Sequence, residues 1–161
     1  MPWEYWDGMG RENQTNAENA KADRNQMKMN GISYFLNICV LLIIFLTPRY
    51  FHNDYTRLVD YVTIFFMLFN YLVLRYAKVT LGKLYLWVSI AQFLSCLLTI
   101  TSNEEIGFKT TRIQYLITNQ LHNNLNDFTE GVLSIAILIY FALQILYIFR
   151  LVKAMGPAKL I

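Results

Sequence analysis

Residues 58–77, LVDYVTIFFMLFNYLVLRYA, form one apolar stretch that is interrupted by Asp60, Asn70 and Arg75. The stretch has the length of about 20 residues that an α-helix needs to cross the hydrocarbon core of a bilayer. Asp60 falls near its start, one helical turn after Arg57, its expected partner. Arg75 falls near its end, where a long side chain can reach the interface. The stretch therefore predicts a membrane-spanning helix in which only the neutral Asn70 lies deep in the hydrocarbon.

Three further blocks of similar length flank this stretch, at residues 32–51, 81–101 and 131–152. The chain is 55% hydrophobic and only 16% charged, against about 25% charged residues in ordinary soluble domains. The prediction is an all-α polytopic membrane protein with four transmembrane helices.

The segments around these blocks are polar. Residues 1–31 form an N-terminal polar arm, residues 32–152 the transmembrane domain and residues 153–161 a short tail. Thr15 and Glu18 fit a capping box, which predicts a short helix through Met29, with Gly31 breaking or bending it before the first span. The connection 102–130 carries apolar residues at helical spacing, which predict an amphipathic segment: Ile113, Leu116, Ile117, Leu121, Leu125 and Phe128.

The basic residues predict the orientation. With four spans, ten of the 14 basic residues lie on the side of the termini, and only Arg49, Arg57, Lys109 and Arg112 lie on the other side. By the positive-inside rule, both termini face the cytoplasm or the mitochondrial matrix. This topology explains most of the net charge of +3, so no nucleic-acid partner is expected.

No pattern in the chain predicts catalysis. Cys39 and Cys96 lie at different expected depths and form no CxxC motif, and His52 and His122 lie outside the spans. No catalytic serine, zinc-protease or phosphate-loop motif occurs. We expect no enzyme activity, no metal and no cofactor, apart from structural phospholipid.

Each predicted span carries one amide side chain: Asn37, Asn70, Gln92 and Gln144. Because lipid gives helices no hydrophobic drive to associate, small residues and side-chain hydrogen bonds hold membrane bundles together. The amides are therefore expected to lie in helix-packing seams. The alternative is a polar path for a proton or small solute.

Two further groups of residues suggest external contacts. Six basic residues near the inner interface are expected to bind anionic lipid headgroups, such as those of cardiolipin: Lys21, Arg24, Lys28, Arg75, Lys78 and Lys83. The aromatic cluster of Trp3, Tyr5 and Trp6 is expected to dock on a partner or in the membrane interface.

These features favour a non-catalytic accessory subunit that stabilises the core subunits of a multi-subunit membrane complex and binds lipid. Its small size suggests a mitochondrial respiratory or ATP synthase assembly, in the inner membrane with both termini in the matrix. The alternatives are a small stand-alone transporter or channel, and an adaptor of the endoplasmic reticulum or Golgi membrane with both termini in the cytosol.

Overall fold

The computed structural model describes residues 2–77, 82–121, 123 and 125–156, and this part of the chain is mostly helical. The chain folds in the order α1 (Pro2–Leu46), a 3₁₀ turn (Arg49–Phe51), α2 (Asp54–Ala77), α3 (Gly82–Leu98), β1 (Ile100–Asn103), β2 (Phe108–Thr111), α4 (Arg112–Thr118) and α5 (Asp127–Met155).

In the described part of the chain, three helices are long and apolar enough to cross a membrane: α1, α2 and α5. They indicate an integral membrane protein. The apolar helix α3 has 17 residues, or about 25 Å at 1.5 Å per residue. It is therefore shorter than the hydrocarbon core of about 30 Å.

Helix α3 forms the centre of the bundle, because α1 and α5 both pack along it. Tyr85 and Val88 of α3 lie in one buried cluster with Tyr140 and Tyr147 of α5. A second cluster joins α3 to α1 and α2 through Cys96, Val40 and Met67. Aromatic and aliphatic side chains therefore fill these two helix contacts.

Helix α1 runs without a break from Pro2 to Leu46. The predicted start at Thr15 and the predicted break at Gly31 are therefore wrong. A single glycine costs a helix only about 1 kcal/mol relative to alanine, and good helix formers follow Gly31. The helix ends five residues before the predicted end at 51, because residues preceding a proline disfavour helical backbone and Pro48 follows Thr47.

A β-hairpin follows α3, and no strand was expected. Strands β1 and β2 pair antiparallel, with Ile100 opposite Thr111, so Ile100 and Thr101 lie in β1 and not in the third span. Gly107 has a positive φ of 75°, and the Asn103 side chain accepts hydrogen bonds from the backbone N–H groups of Glu105 and Ile106. Turn chemistry and β-branched residues here favour a hairpin over a longer helix.

The predicted amphipathic segment is divided between two helices. Thr111 and Gln114 form a capping box at the start of α4, and Asn119 ends this helix in the left-handed conformation. Leu121 and Leu125 therefore lie outside α4, whereas Phe128 belongs to α5. Helix α5 begins at Asp127, four residues before the predicted start at 131, because Asn126 caps it with a hydrogen bond from the Thr129 N–H.

Two ends of the bundle are named from these elements. The arm end is where Gln26 of α1 lies against Gly82, the first residue of α3. The hairpin end carries β1 and β2. The ammonium group of Lys109 in β2 donates to Glu130 (2.5 Å) and Asp127 (3.1 Å) of α5, and these hydrogen bonds raise the pKa of Lys109.

Candidate functional site

A reciprocal pair of amide hydrogen bonds joins α2 to α5 inside the bundle. The Asn70 Nδ2 donates to Gln144 Oε1 and the Gln144 Nε2 donates to Asn70 Oδ1, each over 2.9 Å. Both side chains are buried. Since each amide donates to the other and accepts from it, the pair forms a reciprocal hydrogen-bonded link between the two helices.

The other two predicted amides lie on separate contacts. The Asn37 Nδ2 of α1 donates to the Tyr85 hydroxyl of α3 over 2.8 Å. Gln92 is buried in α3, and its Nε2 has no hydrogen-bond partner among the described residues. Asn37, Asn70 and Gln144 therefore form hydrogen bonds to side chains of other helices, and Asn70 and Gln144 bond to each other.

A buried charged cluster at the hairpin end consists of Asp60, Arg112 and His52. The Arg112 Nη2 donates to Asp60 Oδ2 over 2.7 Å, and His52 Nδ1 lies 3.2 Å from the same oxygen. Arg112 is fully buried and Asp60 is 5% exposed. The cluster links α2 to the first residue of α4 and to the connection after α1.

Further contacts hold the Arg112 side chain in place. Its Nη1 donates to the Cys96 carbonyl oxygen and lies 3.2 Å from the Cys96 sulfur. Its guanidinium carbon lies 5.4 Å from the centre of the Phe51 ring, within the range of a cation–π interaction. The Arg112 backbone N–H donates to the Thr99 carbonyl oxygen over 2.8 Å, so the base of the hairpin fixes the position of this residue.

This cluster corrects the predicted partner of Asp60. The carboxylate pairs with Arg112, 52 residues away along the chain, and not with Arg57, which is exposed. Sequence reasoning placed Arg112 among four basic residues of the outer side and gave it no role. The one available signal was that Asp60 lies inside an apolar stretch, where a carboxylate needs a cationic partner.

The predicted lipid-binding residues are distributed over two regions. Three of them, Lys21, Arg24 and Lys28, are exposed on α1. Their spacing of three and four residues places them on one face of the helix. Arg75 and Lys83 are exposed near the arm end, and Lys78 lies outside the described residues. These positions remain compatible with headgroup contact at the arm end.

The predicted docking residues Trp3, Tyr5 and Trp6 lie in the first turns of α1, and their side chains are outside the described part of the structure. Following them, Gly10 and residues 12–25 are all exposed. Further along α1, the side chain of Gln26 lies against Gly82, the first residue of α3. We call residues 2–25 the arm helix.

Within the described residues, no group of three or more His, Cys, Asp or Glu side chains is placed to hold a metal ion. Cys39 and Cys96 are free thiols.

Comparison with known proteins identifies no relative: no family model, no curated protein and no solved structure matches this chain.

Proposed function

We propose that this protein is a non-catalytic accessory subunit of a multi-subunit membrane complex, and that the arm helix is its docking element. The observation that carries the proposal is the unbroken helix α1, of which Gly10 and residues 12–25 are exposed. The bundle anchors the chain in the membrane, and the arm helix carries a contact surface beyond it.

The exposed arm helix is a structure that needs a partner. Most helical stability in proteins comes from the packing of one face of the helix against other parts of the structure. Residues 10–25, GRENQTNAENAKADRN, are polar on all sides, a pattern found in helices that bridge between separate bodies. Trp3, Tyr5 and Trp6 at its tip supply the aromatic residue types that anchor protein interfaces.

Two paired sets of polar side chains inside the bundle support an anchoring role over a conducting one. Asn70 and Gln144 satisfy one another, and Asp60 is neutralised by Arg112. A transport path would need polar groups that can exchange partners with a solute. Several other buried polar atoms have no hydrogen-bond partner among the described residues, including Gln92 Nε2, Asn37 Oδ1 and the Tyr147 hydroxyl. These atoms favour the alternative, a small transporter or channel.

The proposal includes four spans, with α3 as the fourth. Helix α3 packs between α1 and α5, so its polar residues Ser89, Gln92 and Ser95 are buried. Because both neighbouring helices are longer, they cover the part of the bilayer thickness that α3 does not reach. Four spans put both termini on one side, in agreement with the excess of basic residues there. The mitochondrial inner membrane, with anionic lipid such as cardiolipin at the arm end, remains the first prediction for the compartment, and the endoplasmic reticulum the second.

The proposal is tested by purifying the full chain and a variant lacking residues 1–25 in mild detergent, followed by native mass spectrometry. The deletion leaves Gln26 and the bundle intact. We expect the full chain to retain its partner subunits and the deletion variant to lose them while remaining inserted in the membrane. Equal recovery of the complex with both chains would refute the docking role.

The same purified protein distinguishes an accessory subunit from a transporter. Purified protein in liposomes should show no ion or solute flux if the chain is an accessory subunit. Flux that disappears in Asn70→Leu would support transport instead.

A further inference from the structure

A groove lies between α1 and α2 and extends from the hairpin end into the bundle. Its part at the hairpin end is a cavity of about 450 Å³, and its deeper part is a cavity of about 360 Å³. Ile64 lines both cavities, so the two are adjacent along the same pair of helices. The groove exists because α1 packs more closely along α3 than along α2.

The mouth of the groove is cationic. Arg49 and Arg57 both line it, both are exposed, and neither forms a salt bridge with a described residue. The carboxylate of Asp60 also lies in the lining, but it is paired with Arg112 and His52 and does not cancel the two arginines. The mouth therefore attracts a negatively charged group.

The deeper part of the groove is apolar. Ile38, Leu41, Met67 and Leu68 are among its lining residues, and the exposure of Leu68 leaves the groove open to its surroundings. The rings of Tyr34 and Tyr71 meet edge to face, with their centres 6.1 Å apart. Since both residues line the deep cavity, this contact bounds the groove toward the arm end.

We propose that this groove binds one anionic phospholipid of the leaflet at the hairpin end, with its phosphate between Arg49 and Arg57. One acyl chain then lies along Ile64 and Leu68 toward the two tyrosines. The combination of a cationic mouth with an apolar depth matches a phospholipid from headgroup to chain. A partner helix, about 10 Å or more across, would need more room over the same length. This site lies at the opposite end of the bundle from the basic residues of the arm helix, and the inference does not depend on the proposed docking role.

A fluorescence measurement with the full chain tests this site. Leu68→Trp places a reporter in the deep part of the groove. Ile139→Trp places a matched reporter at a separate apolar cavity between α3 and α5, where Ile139 is 51% exposed and no arginine lies in the lining. Each variant is held in detergent micelles with a small fraction of phosphatidylglycerol or phosphatidylcholine that carries brominated chains, which quench a nearby indole. The signal of the unsubstituted chain, with its own three tryptophans, is subtracted.

The expected result is that phosphatidylglycerol quenches the Leu68→Trp reporter at lower concentration than phosphatidylcholine does, whereas the Ile139→Trp reporter does not distinguish the two lipids. Each arginine near a lipid headgroup contributes about a fivefold preference. Arg49→Gln with Arg57→Gln should therefore lower the preference by up to about thirtyfold, and the two Arg→Lys substitutions should keep most of it.

A charge-matched control separates this site from general attraction. Lys21→Gln with Lys28→Gln removes two positive charges from α1 on the arm side of the bundle and should leave the preference at Leu68→Trp unchanged. Equal quenching by both lipids at Leu68→Trp, or an equal loss of preference in the Lys21/Lys28 variant, would overturn the proposed site.

Discussion

At the scale of single residues, the interior polar groups act as pairs. Asp60 and Arg112 come from distant parts of the chain and meet at 2.7 Å, and Asn70 and Gln144 meet through two hydrogen bonds. In a low-dielectric interior, removing one partner leaves the other desolvated and unpaired, which costs more than the net stabilisation that the pair supplies.

The buried ion pair gives the first prediction. Asp60→Leu or Arg112→Met alone should lower the free energy of unfolding by about 3–5 kcal/mol, because each leaves a buried charge without its partner. The double variant should be more stable than either single variant. Equilibrium unfolding of the three proteins in detergent, monitored by circular dichroism, measures the difference. If the two single effects simply add in the double variant, the residues do not act as a pair.

The amide pair gives a smaller effect. Asn70→Leu should destabilise the bundle by about 0.6–2 kcal/mol, since Gln144 then loses both of its hydrogen bonds to this side chain. Gln144→Leu should have a similar effect, and the double variant should recover part of the loss. A double-mutant cycle from the same unfolding measurement reports the coupling, and a coupling energy of zero would show that the pair does not stabilise the fold.

At the scale of the elements, the main departures from expectation lie where local backbone chemistry competes with the apolar pattern. Helix α1 continues through Gly31, whereas α3 stops at Leu98 and gives way to a hairpin. Gly31 lies in helical backbone where a methyl group would have room, and Gly107 has a φ of 75°. Two glycines in one chain therefore have opposite roles.

Alanine substitution distinguishes these roles. Gly31→Ala should stabilise α1 by about 0.5–1 kcal/mol, because alanine loses less backbone entropy on entering a helix. Gly107→Ala should destabilise the hairpin by about 1–2 kcal/mol, because alanine is strained at a positive φ. Thermal unfolding of both variants measures the two changes. A loss of stability in Gly31→Ala would indicate that α1 bends at this residue.

At the scale of the whole molecule, the membrane character can be predicted from the sequence, whereas the side-chain contacts between separate elements cannot. Apolar blocks of about 20 residues predict membrane-spanning helices, and the structure has three candidate spans among its described residues. The amides were found from the sequence because a polar residue in an apolar block stands out. The role of Arg112 could not be found in this way, because its burial depends on the hairpin, which the apolar pattern does not reveal. The pairing of Asn70 with Gln144 likewise depends on helix register, which spacing within each helix does not determine.

Hydrogen exchange at the backbone amides of the arm helix tests most directly whether this helix docks on a partner. Backbone amides of residues 12–25 should exchange slowly in the complex purified in mild detergent, because a partner packs against the arm helix. The same amides should exchange rapidly in the isolated chain, whereas the interior of α3 should stay protected in both. Equally rapid exchange of residues 12–25 in the complex and in the isolated chain would show that the arm helix does not dock on a partner.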